Sequence, residues 1–355
     1  MKRCPPSRRK LLRQKAKNKP VLSVPDDTVH RSKVADWLEL KAICSVDGRV
    51  SFSTLASATA IGEEEQNQDI AEEDQEEDEL ILMAQTEIER RLTNIGDDYP
   101  FRIDAKGRAL QFVTPVSKVG SVYLFCLFLS HAADHTIVPK ALAPDVTNRV
   151  RDLFQACATI AAGGYIQGPS MSFGFPRPDG KDFLKALRKV YRLFGDGKPC
   201  SKPRKASSKN VKDNGIDIIA WHRSIDNLPA THYLIGQVAS GNDWVDKSVK
   251  PDREHFHDYW FTHKPGSQAE DAMFMPFGLE PENWKGEPDY DELLKDHMQS
   301  IAYRYGNLFY RDRVAKHLAH GLQLIAAGEK HIQRGDEIAE VIKWVEEYTE
   351  KLRAA

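Results

Sequence analysis

No stretch of the 355-residue sequence is apolar for long enough to cross a bilayer. The richest run, residues 122–130 (VYLFCLFLS), falls well short of the ~20 residues a spanning helix needs. Cysteine is scarce: Cys4, Cys44, Cys126, Cys157 and Cys200 form neither a C-x-x-C pair nor an even disulfide framework. The amino terminus is basic but no apolar signal core follows it, so the expected location is the reducing cytoplasm. A phosphate loop is missing too, because residues 174–180 (GFPRPDG) place prolines where amide donors are needed and no G-K-[ST] follows. There is no G-x-S-x-G elbow and no Cys/His nucleophile signature.

What is present is material for a packed core. Hydrophobic residues make up 41% of the chain and charged residues 29%, which rules out a wholly disordered protein and leaves room for two ordinary domains or one elaborated domain. The formal net charge of −2 hides segregated charge. Residues 2–19 carry many cations and no acid, which suits a solubilising tail or contact with a polyanion. Residues 63–79 carry acids and no cation, so self-repulsion predicts a solvated loop over the first part. Apolar periodicity resumes at Leu80, Ile81 and Met83 and runs through Ile88 and Leu92 until Gly96 stops the helix.

The expected organisation is a basic disordered tail over 1–33, an amino-terminal accessory α/β region over 34–143 with the acidic loop at 63–79, a core over 144–265, and a carboxy-terminal mainly helical region over 266–355. Pro144, Asp145 and Thr147 signal a helix start, and Gly163-Gly164 reads as that helix's end. A second helix is expected over 182–194 (DFLKALRKVYRLF), then a Lys-, Ser- and Pro-rich linker. Residues 216–221 (IDIIAW) and 233–239 (YLIGQVA) are β-prone and predict a hairpin.

The chemistry concentrates between Asp213 and Lys247. Asp217 opens an apolar β run, where an unpaired anion costs several kcal/mol, roughly the scale of buried charge, so it needs a partner or a cation. Gln237 interrupts the next run, and adjacent strands would bring the two together at one end of a sheet. Such oxygens can hold Mg²⁺, or Mn²⁺, and bridge it to a phosphate, while Lys247 could orient the attacking water. The structural alternative is that Asp217 caps a turn and Gln237 satisfies a strand-edge carbonyl.

Gly215-Ile216-Asp217 followed by Gln237 within an apolar strand resembles the D-Xn-(D/E)-x-K core of the restriction-endonuclease-like, or PD-(D/E)XK, nucleases. With Gln in place of the second acid it is similar to the Mrr-type variant, G-x-D then Q-x-K. The segment 236–247 also resembles a Q-x-A-x-G-x-x-W-x-x-K pattern of bacterial proteins associated with phage defence. The resemblance spans roughly a hundred residues. It implies a helix followed by a mixed sheet flanked by helices, a Mg²⁺ ion on Asp217, and DNA as substrate. Two departures stand out: Ala239 occupies the lysine position of Q-x-K, and Gln155 stands where the first helix often carries a Glu. On this reading Asp217, Gln237 and Gln155 hold metal, and Asp217, Gln237 and Lys247 carry catalysis. Lys202, Arg204, Lys205, Lys209 and Lys212 of the linker touch phosphates.

The rival reading is a decayed nuclease fold that binds DNA or a partner protein in a multi-subunit defence complex; a homo-oligomer is compatible with either. A third is an adaptor whose acidic loop docks a basic partner. Weaker constellations are His255, His257 and His263 in HFHDYWFTH, expected to alternate on a strand with no nearby cysteine for zinc, and His317 with His320, expected at the surface. Asp312-Arg313 is expected to serve in an ion pair.

Overall fold

A five-stranded mixed sheet and a helical layer that continues into a small antiparallel sheet make up the protein. The computed structural model describes residues 22–24, 30–55, 70–175, 177, 180, 182–203, 215–226, 228–281 and 289–355, with backbone alone at 70–77 and 242–243. Arg204, Lys205, Lys209, Lys212, Asp213 and residues 63–69 of the acidic stretch lie outside the described residues. Among the described residues no helix is long and apolar enough to cross a membrane.

The amino-terminal region contains α1 (Arg31–Cys44), α2 (Ile70–Ile95) and α3 (Lys118–Ser130), with strands β1 (Arg49–Ser51), β2 (Phe101–Ile103) and β3 (Ala109–Phe112) in the order β1-β3-β2. Ser117 caps α3 by accepting the Gly120 N–H at 3.0 Å, and residues Val119 to Leu129 are all buried, which explains the apolar run without a bilayer. Two expectations fail here. The acidic stretch joins α2 from Ile70 onward rather than ending in a loop before Leu80. The tail expected over 1–33 includes ordered residues: Leu22 packs in the core, the Ser23 N–H donates to the Ile137 carbonyl at 3.0 Å, and Arg31 already begins α1.

The large sheet has the order β10-β9-β7-β6-β4: β10 (Asn307–Phe309), β9 (Gln268–Phe274), β7 (His232–Val238), β6 (Ile218–Trp221) and β4 (Ser170–Ser172). Pairs β4–β6 and β6–β7 are antiparallel, as the expected hairpin requires, and β7–β9 and β9–β10 are parallel. Alternation sorts side chains to two layers. Ile218, Ala220, Leu234, Ala272 and Phe274 join the core shared with α4 (Asn148–Ile166) and α8 (Arg311–Ala326). Ile219, Trp221, Tyr233 and Ile235 face α5 (Phe183–Phe194) and α6 (Val249–Trp260). Among the described residues the remaining α-helices are α7 (Tyr290–Tyr305) and α9 (Ile338–Ala354), and β5 (Lys198–Pro199) pairs with β8 (Phe261–His263) as a short ribbon.

Gly163-Gly164 does not end α4, which continues to Ile166. A Cβ on Gly164 would overlap the His317 carbonyl of α8, so the pair is a helix-crossing contact. Residues 255–260 are helix α6 rather than strand: His257 is buried, with its Nε2 2.8 Å from the Tyr233 hydroxyl, and His255 is exposed. His317 is half-buried between the rings of Tyr165 and Phe309, not at the surface. Past residue 266 the chain supplies β9 and β10 to the same sheet as well as helices. Asp312 does form an ion pair, with Arg90 of α2 at 3.3 Å.

Candidate functional site

Asp217 lies at the entry to β6, where the chain arrives from Gly215 in a left-handed conformation at φ +76°. Its N–H donates to the Gly236 carbonyl at 2.9 Å and its carbonyl accepts from the Phe173 and Gly174 amides, which lock the residue between β7 and the end of β4. Oδ2 accepts the Val238 N–H at 2.8 Å. Oδ1 turns the other way, toward Gly174 and Gln155. A Cβ on Gly174 would stand 2.5 Å from Asp217 Oδ1, 2.6 Å from Gln155 Nε2 and 2.8 Å from Gln155 Oε1. Carboxylate and amide therefore meet at a notch that only glycine leaves open.

Thr147 caps α4 by accepting the Val150 N–H at 3.3 Å, and this helix carries Gln155 to the notch. Gln155 Nε2 donates to Ser172 Oγ at 2.8 Å, which leaves its carbonyl oxygen for the notch. Behind Ser172 stands a carboxy-terminal segment that pairs with β4. The Ser170 N–H donates to His331 O, and the Gln333 N–H donates to Ser170 O, each at 3.0 Å. Gln333 Oε1 accepts the Ser172 N–H at 3.0 Å. Arg334, with its side chain only 3% exposed, donates to Asp152 at 2.7 Å and Glu337 at 2.6 Å, and reaches Ser172 Oγ at 3.5 Å. Burial opposes the Arg334 charge, yet the bonds to Glu337 and Asp152 raise its pKa above the usual value.

Gln237 and Lys247 come together in a separate arrangement. They line one cleft of about 490 Å³ with Asp246, Ser248, Lys250 and Asp252, and Asp252 also packs against Gly215. Lys247 follows the short helical turn Asn242–Asp246 and precedes α6, so it sits in a connection and not on the helix. Gln237 Oε1 is buried without a hydrogen-bond partner among the described residues. Ala239, at the lysine position of Q-x-K, is 1% exposed and packs with Met273 and Met275. Lys202 is exposed just past β5.

The sequence pointed to Gln155, Asp217, Gln237 and Lys247 and missed Ser172, Gly174, Gln333 and Arg334. Gly174 had a local signal, a glycine just after a strand in MSFGFPRPDG; Gln333 and Arg334 had none. Among the described residues no group of three or more His, Cys, Asp or Glu side chains is placed to share a metal. One carboxylate with one neutral amide oxygen at an open notch fits only a weakly held hard cation completed by water and phosphate. Compared with known proteins, the chain matches no family model, no curated protein and no solved structure.

Proposed function

We propose that the chain is a metal-dependent endonuclease with a restriction-endonuclease-like core, hydrolysing DNA phosphodiesters in bacterial anti-phage defence alongside a partner protein. One observation carries the reading: Asp217 Oδ1 and the Gln155 amide converge on the Gly174 notch at the end of a mixed sheet, behind a helix that precedes that sheet. Asp217 and Gln155 would hold Mg²⁺ or Mn²⁺ at the notch, and Gln237, whose buried Oε1 has no hydrogen-bond partner among the described residues, would join them only through a shift from its own cleft. Bound there, the ion would neutralise charge developing on phosphorus. Ser172 fixes the Gln155 amide, the Val238 N–H fixes the Asp217 carboxylate, and Lys247 beside Gln237 would orient the attacking water.

The test is incubation of the purified protein and its Asp217→Ala and Lys247→Ala variants with supercoiled, linear and single-stranded DNA plus Mg²⁺ or Mn²⁺. Cutting by the parent that both variants lose by about a hundredfold or more supports the assignment, on the scale of losing a charge-stabilising group. Full cutting by Asp217→Ala refutes it. Ala239 favours a second reading: a buried apolar residue fills the usual lysine position. A decayed subunit would retain DNA on a gel, yield no cut product with any divalent metal, and keep its binding in Asp217→Ala.

A further inference from the structure

Helix α5 carries Lys185, Arg188, Lys189 and Arg192 and no acid. Spacings of three, four and seven put the four cations on one helical face, while Phe183, Ala186, Leu187, Val190, Tyr191 and Phe194 fill the opposite face. Like charges three and four apart repel and weaken a helix, so this face gains nothing for the fold from its own charges. It is not an open face. The β5–β8 ribbon stands across from it, and the two walls enclose a trench of about 930 Å³ to which the ribbon contributes Lys198 and His263. Among the described residues no acid lines that trench.

Asp182 pairs with Lys185 of the trench wall at 2.8 Å, and of the other acids described nearby Asp258 pairs with Lys264, outside the trench. Asp196 accepts the N–H groups of Ser267 at 2.7 Å, Gly197 at 2.8 Å and Gly266 at 3.1 Å. Lys189 also lines a smaller depression with Arg177, Ser172 and Gln333, and Ser172 is the residue that holds Gln155 at the Asp217 notch. A cationic track thus leads from the trench to the notch.

From this geometry we infer that the trench between α5 and the β5–β8 ribbon binds the sugar–phosphate backbone of a nucleic acid and feeds it toward Asp217. Cations on two facing walls suit a strand or duplex lying between them better than a flat membrane surface, and a polyanion is what Arg188 and Arg192 on one wall and Lys198 on the other can neutralise together. The choice of nucleic acid over another polyanion rests on the nuclease reading; the trench itself does not.

The experiment measures binding of the full-length protein to a labelled DNA duplex and a single strand by fluorescence anisotropy in EDTA, across roughly 50–200 mM salt, the range over which phosphate contacts dominate affinity. The variants are Arg188→Gln/Arg192→Gln on the helix and, on the other wall, Lys198→Glu. If each arginine meets one phosphate, the double variant should lower the magnitude of the log–log salt slope on duplex by about 2 and weaken binding roughly 60-fold near 0.1 M salt. Lys198→Glu should weaken binding in the same salt-dependent way. Binding by both variants with the parent's affinity and slope overturns the inference, as does a parent that binds neither nucleic acid, or arginine-dependent capture of anionic vesicles or a phosphopeptide in place of nucleic acid. Arginine-dependent binding by a protein that never cuts DNA upholds the trench and sinks the nuclease reading. Cutting that is indifferent to Arg188, Arg192 and Lys198 does the reverse.

Discussion

Substitution of Gly164 by alanine tests the packing on which the site stands. A methyl group there would overlap the His317 carbonyl and come 2.5 Å from the Gly321 amide nitrogen, both backbone atoms of α8. Neither can rotate aside as a side chain would, so the helices must separate. In an exposed helix, alanine is worth about 1 kcal/mol more than glycine. Overpacking of a tight core costs roughly 1–3 kcal/mol, occasionally more, and backbone overlap belongs at the upper end. The net expectation for Gly164→Ala is a loss of about 2 kcal/mol in urea unfolding followed by circular dichroism, with an unchanged denaturant slope. Gly321→Ala should behave alike, since its Cβ would overlap the Ile160 carbonyl of α4. Once one methyl has parted the helices, the second should cost less, so the double variant should lose less than the two single losses combined. A Gly164→Ala protein as stable as the parent, or more so, would refute the close crossing.

Two further outcomes are expected. Burial holds both His257 and His317 down at a pKa of about 4, with neighbouring cations, Arg253 and Lys264 for the first and Arg313 and Lys316 for the second, adding to it. The unfolded chain protonates near 6.5, so the stability these neutral rings contribute is complete above that pH and lost as pH falls toward 4. The loss is roughly 2 kcal/mol per histidine at pH 5. Glu280, pushed by burial up to about 8, works in the opposite sense: its share is present below about 4.5 and lost as pH rises through 8. Urea midpoints from pH 5 to 9 should flatten on the acid side in His317→Phe and on the alkaline side in Glu280→Gln, and unchanged profiles would remove the argument. Asp36, 3% exposed, meets Arg311 at 2.6 and 2.9 Å and Arg91 at 2.6 Å, so Asp36→Ala should cost about 3–5 kcal/mol by leaving buried guanidinium groups short of an acid. A thermal melt showing a loss below about 1 kcal/mol would contradict that account.

The elements that local chemistry decides were legible. Helix α5 follows from its spacing, β6 and β7 from runs of β-prone apolar residues, and the start of α4 from Thr147. What tertiary partners decide was not. Gly163-Gly164 has the local look of a helix stop, and only α8 explains why glycine lies inside the helix. Strand β9 was hidden by Glu270 and Asp271, which a lone sequence reads as solvent-facing. In the fold Asp271 meets Arg253 at 2.8 Å, and Glu270 accepts from Asn307 at 2.9 Å. The segment 255–263 reads as alternating aromatics, yet its helix is fixed by the packing of Phe256 and Trp260 beneath the sheet. At the site, Gln155 and Asp217 were visible as polar intruders on apolar faces. Their supports were invisible, because Gln333 reaches Ser172 across 161 positions of sequence.

That long reach bears on where the site's rigidity comes from. Ser172 ends a three-residue strand whose neighbour in the sheet is β6, and a strand so short holds little by its own ladder. The bridge from Ser170 to Ile332 extends the sheet past β4, and Gln333 and Arg334 then grip Ser172 from the open side. Arg334 sits at φ +69°, a conformation that costs a non-glycine residue of order 1–3 kcal/mol and persists where its surroundings over-determine it. Its ion pairs to Asp152 of α4 and Glu337 at the start of α9 supply that determination. Helix α9 is itself anchored, with Trp344 and Tyr348 against Phe128 of the buried α3. The orientation of Gln155 toward Asp217 is therefore set through Ser172 by the carboxy-terminal helix and the amino-terminal core, two regions far from the notch in sequence, and residues 144–265 alone do not contain the groups that hold the notch in shape.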